Sequence, residues 1–357
     1  MKKKVLVAMS GGVDSTVAAY LLKEQGYEVI GCTLSTWISP TCETKNTKAC
    51  CGVKGIEDAR ASAKVLGIDY FVLECADEFE KLVIQNFKQE YLKGRTPNPC
   101  IRCNEHIKFN LPWQVAKERG IDFISTGHHA RIHLNESTGE HRIQQGVDPK
   151  KDQSYVLFCL ARNMLSQVLL PIGDLTKQEV RDIAKKQGLP VFDKPDSQEI
   201  CFIPSHNYPK FLEKEYHVTP RQGAIVNQAG KVLGVHNGYF NFTIGQRKRL
   251  GVTAPNPLYV IDIRPQANEV VVGERDDIYK AGFRVEKITW HSQIAAQGEF
   301  QADVKIRSVH DKAPAMGRWE KDGALSVQFI DPQESVTPGQ AAVFYEKDLV
   351  LGGGWIV

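Results

Sequence analysis

The chain has 357 residues, of which 42% are hydrophobic and 24% charged, and its formal net charge is +3. This composition excludes a disordered or fibrous chain, and no stretch approaches the ~20 apolar residues that a membrane span needs. The length exceeds what one core usually serves, so two or three domains are expected. The surplus of 45 basic over 42 acidic residues is too small to identify a polyanionic partner without local clustering.

In chain order, Met1-Lys2-Lys3-Lys4 leads straight into an apolar run and not into a signal-peptide core, which predicts a cytoplasmic protein. The run Val5 to Met9 ends at Ser10-Gly11-Gly12-Val13-Asp14-Ser15. After it Val13, Val17, Ala18, Leu21 and Leu22 recur at helical spacing up to Gly26. That is a strand, a tight turn and a helix. The turn leaves backbone N–H groups at the positive end of the helix, with two glycines that let an anion approach closely. No Gly-x-x-x-x-Gly-Lys-Ser/Thr occurs, so no lysine is expected to reach the outer phosphates. Ser-Gly-Gly-x-Asp-Ser resembles the PP-loop of enzymes that split ATP into AMP and pyrophosphate.

A strand at 28–34, a helix at 56–66, a strand at 70–73, a helix at 79–91 and a strand at 122–127 follow. This alternation predicts an α/β fold with a doubly wound, mostly parallel sheet whose ligands sit at the carboxyl ends of the strands. Thr176 and Glu179 form a capping box, Leu175 and Val180 a hydrophobic staple, and Gly188 closes that helix. Beyond residue 205 short alternating runs at 258–263, 270–272, 283–290 and 304–307 read as antiparallel strands. The expected domains are 1–205, a small, mainly β central domain at 206–277, and a C-terminal β-barrel at 278–357.

The nine cysteines, at 32, 42, 50, 51, 75, 100, 103, 159 and 201, are odd in number and follow no secretion signal. Clusters among them suggest metal, redox or sulfur chemistry more than a disulfide framework. Two prolines in Gly94-Arg95-Thr96-Pro97-Asn98-Pro99-Cys100-Ile101-Arg102-Cys103 predict an extended, stiff connector that presents Cys100 and Cys103. Cys201 stands in Ile200-Cys201-Phe202. A Cys-x-x-Cys fits a redox pair or half a metal site, and a lone Cys201 fits a buried thiol.

Ser-Gly-Gly-Val-Asp-Ser, Gly-Arg-Thr-Pro-Asn-Pro-x-x-x-Cys-Asn, Thr-Gly-His, Lys-Asp-Gln-Ser-Tyr, Ile-Cys-Phe-Ile, Thr-Ile-Gly-Gln-Arg-Lys, Thr-Pro-Gly-Gln and Leu-Gly-Gly-Gly occur in that order. In this the chain resembles the bacterial tRNA-specific 2-thiouridylases along essentially its whole length. The resemblance implies ATP-dependent replacement of the C2 oxygen of the wobble uridine by sulfur, with the anticodon loop of tRNA gripped by all three domains. It places ATP against Ala8, Met9, Ser10, Gly11, Gly12, Val13, Asp14, Ser15, Leu34 and Gly127, with Asp14 acting through Mg²⁺ or by ordering the loop. Leu34 stands where the family often has methionine.

The family offers a persulfide on Cys201 and a partner thiol at Cys103, supplied by a sulfur-donor or relay protein or by hydrosulfide. Cationic neighbours such as Arg102 should depress thiol pKa values. Where many members carry Asp, this chain has Cys100, so Cys100, Cys103 and Cys201 together could hold a 4Fe-4S cluster. A three-thiolate zinc site and a redox pair are the rivals, and Cys42, Cys50 and Cys51 form a separate thiol loop. Expected tRNA contacts are Asn98, Pro99, Cys100, His128, Lys151, Asp152, Gln153, Arg307, Ser308 and Gln340, and the basic Arg247-Lys248-Arg249 is suited to phosphates. The readings left beside this one are another PP-loop adenylating enzyme, such as an amide-forming synthetase, and a non-catalytic, metal-bound RNA-binding module.

Overall fold

A computed structural model describes residues 2–36, 52–195, 200–203, 207–293 and 296–357. The thiol loop with Cys42, Cys50 and Cys51 lies outside the described residues.

The first strands are β1 (Lys4–Ala8), β2 (Glu28–Ser35), β3 (Asp69–Glu74) and β4 (Phe123–Thr126). A hairpin of β5 (Ala130–Asn135) and β6 (Glu140–Gln145) follows, then the short β7 (Val168–Leu169). Strands β1 to β4 and β7 form one parallel sheet in the order β3-β2-β1-β4-β7. Side chains alternate across it: Val5, Val7 and Met9 enter one core with α1 (Val13–Glu24) and α2 (Val53–Leu66), while Leu6 enters a larger core on the other face. Two layers of helix thus bury a two-sided apolar strand, the doubly wound arrangement expected from the alternation.

The larger core is closed by helical stretches at Ala76–Phe79, Glu80–Ile84 and Gln85–Leu92, and by a second run from Pro99 to Glu118. The capped helix is found at Lys177–Lys186, with both reciprocal hydrogen bonds of the Thr176/Glu179 box. It lies on the α1 side, where Val180, Ala184 and Leu189 join the smaller core.

Strands β8 (Gln222–Asn227), β9 (Val232–Asn237), β10 (Tyr259–Arg264) and β11 (Glu269–Gly273) build a four-stranded sheet in the order β10-β11-β8-β9. The last six strands are β12 (Tyr279–Trp290), β13 (Glu299–Lys305), β14 (Ala313–Trp319), β15 (Leu325–Glu334), β16 (Ala341–Glu346) and β17 (Leu349–Ile356). They close into an antiparallel barrel, because β12 pairs with both β15 and β17. The strand expected at 304–307 ends at Lys305, which leaves Arg307 on the following turn.

The sequence does not foretell that the β5–β6 hairpin, from the first 150 residues, adds to the outside of the barrel through Leu349 and Gln144. Gln145 donates its N–H to Asp348 O at 2.8 Å, Tyr155 Oη donates to Ala341 O at 2.9 Å, and Thr96 donates its N–H to Pro338 O at 2.9 Å. The barrel is therefore bound directly to the parallel-sheet domain. Among the described residues no helix is long and apolar enough to cross a membrane.

Candidate active site

The turn between β1 and α1 has the geometry of an anion cradle. Gly12 caps α1 in extended backbone, and no side chain takes the cap hydrogen bond, which leaves the first N–H groups of the helix for a ligand. Ser15 Oγ accepts from Ser10 N at 3.2 Å, donates to Gly12 O at 3.3 Å and lies 3.4 Å from Ser10 Oγ, so both hydroxyls are oriented within the turn. Gly11 has φ +70°, and a Cβ there would stand 2.2 Å from Gly55 O. Only glycine lets the turn pass under α2. Gly127, expected simply on the rim, has a closer role: its Cβ would lie 2.4 Å from Ser15 N, so the end of β4 is pressed onto the first turn of α1. Ala8 is half-buried at the end of β1, whereas Met9, Val13 and Leu34 are core residues.

Asp14 is the electrostatic centre of the turn. Lys177 Nζ lies 2.7 Å from both of its carboxylate oxygens, and His129 Nε2 is 3.4 Å from Oδ1. Burial opposes the charge, but the His129 imidazole and the Lys177 ammonium together hold the carboxyl below its ordinary range. Lys194 Nζ donates to Gly11 O at 2.8 Å and to Asp58 Oδ2 at 2.7 Å. The motif carries no lysine of its own, but two lysines reach the turn from more than 160 residues downstream. His129, Lys177 and Lys194 were not singled out from sequence. The one local signal was a lysine at the first position of a helix, where the dipole disfavours a cation.

The cysteine segment is helical, not the extended connector expected. Asn98 caps it by accepting from Ile101 N at 3.4 Å, and Pro99 stands at its first position, where proline's fixed φ starts a helix and its missing N–H costs nothing. Cys100 is exposed and Cys103 buried on the next turn. Cys201 is half-buried and packs against the same core as Cys103. It is held by Phe202, whose ring meets Phe79, Phe87 and Phe211 at 5.4–5.7 Å. The structure therefore brings Cys103 and Cys201 to one core and leaves Cys100 on the surface. Among the described residues no group of three or more Cys, His, Asp or Glu is arranged to hold a metal ion.

Arg102 is not simply a thiol-activating charge. Its guanidinium pairs with Glu105 at 3.1 Å and lies 4.7 Å over the Trp355 ring. Burial pushes the thiols of Cys32 and Cys75 up to about 12, with neighbouring Cys103 adding to the shift of Cys75, and it raises Cys159 well above its usual value. Those three stay protonated and apolar.

Several of the expected RNA contacts have partners within the fold. His128 is buried, with Nδ1 2.7 Å from Thr126 Oγ1 and its ring 5.6 Å from that of Phe109. Burial, then the charges of Lys108 and His129, push its pKa well below the usual value, so it is neutral. Asp152 accepts from Gly146 N, Ser154 N and Ser154 Oγ at 2.9–3.1 Å, and Gln153 Oε1 accepts from His129 N at 2.9 Å. Arg307 donates to Thr337 Oγ1 at 2.6 Å, Ser335 O at 3.1 Å and Ile244 O at 3.3 Å, joining the barrel to the central domain. Gln340 donates to Thr96 O at 2.8 Å. Pro99 is buried, Asn98 and Lys151 are half-buried, and Ser308 is exposed. Arg247 and Arg249 line an open depression of about 480 Å³ in the central domain.

A parallel-sheet domain with a glycine-rich anion turn at its strand ends, two thiols on the adjoining core and two β domains after it has the architecture of a PP-loop protein of the HUP class. The model of the tRNA methyl transferase HUP domain matches residues 3–205, that of the tRNA methyl transferase PRC-barrel domain 209–274, and that of the aminomethyltransferase beta-barrel domain 280–356. The tRNA-specific 2-thiouridylase MnmA of Carboxydothermus hydrogenoformans is 46% identical over 99% of this chain and 98% of its own length. That of Geotalea uraniireducens is 47% identical over 99% and 95%, and that of Clostridioides difficile 42% over 100% and 98%. The chain belongs to the tRNA-specific 2-thiouridylase MnmA family.

Proposed function

We propose that this protein is a cytoplasmic, ATP-dependent tRNA-uridine 2-sulfurtransferase. It adenylates the C2 oxygen of the wobble uridine and replaces it with sulfur, giving 2-thiouridine, AMP and pyrophosphate. The observation that carries this reading is the pairing of an anion turn at Ser10–Ser15 with Cys103 and Cys201 on one adjoining core. An amide-forming synthetase has no use for the two thiols, and a binding module has none for the turn.

A uracil carbonyl oxygen leaves poorly, and its phosphoric ester leaves well. The C2 oxygen attacks the α-phosphorus and the bond to the bridging oxygen breaks, so pyrophosphate departs into the cradle of Ser10, Gly11, Gly12 and Ser15. The single carboxylate of Asp14, together with phosphate oxygens, is the donor set that Mg²⁺ takes, and the ion would neutralise the departing charge. The terminal sulfur of a Cys201 persulfide then attacks C2 and AMP leaves. The Cys103 thiolate attacks Cys201 Sγ, and the electron pair of the broken S–S bond passes to the sulfur on C2. The Cys103–Cys201 disulfide that remains is opened either by a thiol reductant, after which the Cys201 thiolate takes the outer sulfur of a donor protein's persulfide and the donor's thiolate leaves, or by hydrosulfide attacking Cys201 Sγ, which forms the Cys201 persulfide and frees the Cys103 thiolate. These steps use Cys103 and Cys201 alone and route nothing through a cluster.

The anticodon loop must present a base flipped out of its stack. Asn98, Pro99 and Cys100 border the site for it, with Lys151 and Ser308 as outer contacts. The test is thiolation of unmodified tRNA with ATP and a persulfide donor, read as 2-thiouridine by mass spectrometry. Wild type forms it, Cys100→Ser retains it, and Cys103→Ser and Cys201→Ser lose it while tRNA-dependent pyrophosphate release persists. No 2-thiouridine from wild type sinks the reading, and loss in Cys100→Ser with iron in the anaerobically purified protein restores the cluster.

A further inference from the structure

We propose that Lys177 and Lys194 are the cationic side of the phosphate site: each is held by a carboxylate beside the turn and exchanges that partner for a phosphate oxygen when a nucleoside triphosphate seats on Ser10–Ser15. This rests on the nucleotide reading of the turn and extends it to residues outside the motif.

Both lysines are already at the loop. Lys177 Nζ is 2.7 Å from each oxygen of Asp14, and its side chain is 12% exposed. Lys194 Nζ touches the loop backbone itself, at Gly11 O, and shares Asp58 Oδ2. The segment that carries them is tied down at both ends. Lys177 N donates to Asp148 Oδ2 at 3.1 Å, and Arg181 donates to the carbonyls of Phe192 and Lys194 at 3.4 and 3.3 Å. A lysine at the first position of a helix opposes the dipole, a local conflict that sequences keep where function requires it.

A second observation points to a ligand at the same carboxylate. His129 is buried, Nδ1 has no hydrogen-bond partner, and Nε2 has only a long 3.4 Å approach to Asp14 Oδ1. A buried imidazole with its polar atoms so poorly satisfied is costly. A hydrated cation on Asp14, or a phosphate oxygen beside the imidazole, would give it a partner once Lys177 gives up the carboxylate. A triphosphate offers Lys177 an anion of greater charge within a side chain's reach. The turn has no Walker lysine, and these two supply the missing positive charge from another part of the chain.

The experiment measures binding, not turnover, on the full-length protein. The β,γ-imido analogue of ATP with Mg²⁺ and, separately, AMP are titrated calorimetrically into wild type, Lys177→Met, Lys177→Arg and Lys194→Met. The expected result is a loss of tenfold or more in analogue affinity for both methionine variants, AMP affinity within twofold, and substantial rescue in Lys177→Arg. Should a methionine variant lose AMP binding through misfolding, the glutamine variant at the same position is measured by the same criteria. Analogue affinity within twofold of wild type in both neutral variants overturns the proposal. A wild type that binds neither ligand overturns the nucleotide reading beneath it.

Discussion

Gln340 Nε2 donates to the carbonyl oxygen of Thr96 at 2.8 Å and to that of Pro97 at 3.3 Å, so a side chain of the barrel holds the approach to the cysteine helix. Gly339 presses against the same backbone, its would-be Cβ 3.0 Å from Thr96 N. Gln340→Ala removes about 1 kcal/mol of net hydrogen bonding and frees the segment before Asn98. Thiolation should fall roughly 10- to 100-fold, as for a small misplacement of reacting groups, with ATP affinity unchanged. Hydrogen exchange over residues 94–103 should accelerate; unaltered exchange would rule out this positioning role.

Gly127→Ala tests the contact between β4 and α1. A methyl group 2.4 Å from Ser15 N must push the anion turn away at a cost of roughly 1–3 kcal/mol. The variant should melt lower and bind ATP at least tenfold more weakly. Gly139→Ala has open space but a φ of +68°, so it lowers stability through backbone strain alone and controls for that effect; it should leave ATP binding unaffected.

Arg307 separates a structural cation from an RNA contact. Its three acceptors span the central domain and the barrel. Arg307→Ala leaves them unpaired and should cost roughly 1–3 kcal/mol of stability. If that is its whole role, the slope of log tRNA affinity against log salt is unchanged; a shallower slope would identify a phosphate contact.

His291 gives a pH signature. It is fully buried with Nε2 2.9 Å from Leu160 O, and burial lowers its pKa to about 4. Below the ordinary value of about 6.5 the unfolded chain takes up a proton that the folded chain refuses. Its contribution is complete above pH ~6.5 and is lost on acidification toward pH 4, by at most about 1.4 kcal/mol per pH unit. His291→Asn should flatten the stability curve in that window. An identical slope in denaturant titrations at pH 4.5 and 6.5 would exclude His291 as its source.

The parallel sheet was legible because its strands and helices carry their own periodicity, and the Thr176/Glu179 cap because its signal lies within four residues. The anion turn was legible for the same reason. The cysteine helix was misread because Pro97 and Pro99 suggest an extended chain, and only the Asn98 cap distinguishes a proline that starts a helix from one that ends it. Lys177 and Lys194 were invisible because their partners, Asp14 and Asp58, are remote in sequence. His128, Asp152 and Arg307 looked like surface residues by type, and only their tertiary partners show them turned inward. Local chemistry is written in short motifs; which polar groups the fold consumes is decided by distant segments.

The attachment of the β5–β6 hairpin to β17 and of Thr96 to Pro338 also sets an order of events during synthesis. At ribosomal speed the partners of Gln144 and Thr96 emerge on the order of 200 residues later, roughly 10–40 s after them. A nascent chain can form its β1–α1 turn early, but it cannot fix the segment before Cys100 until the barrel arrives. A chain that stops within the barrel therefore carries the β1–α1 turn without the hydrogen bonds with Pro338 and Gln340 that hold the segment before Cys100.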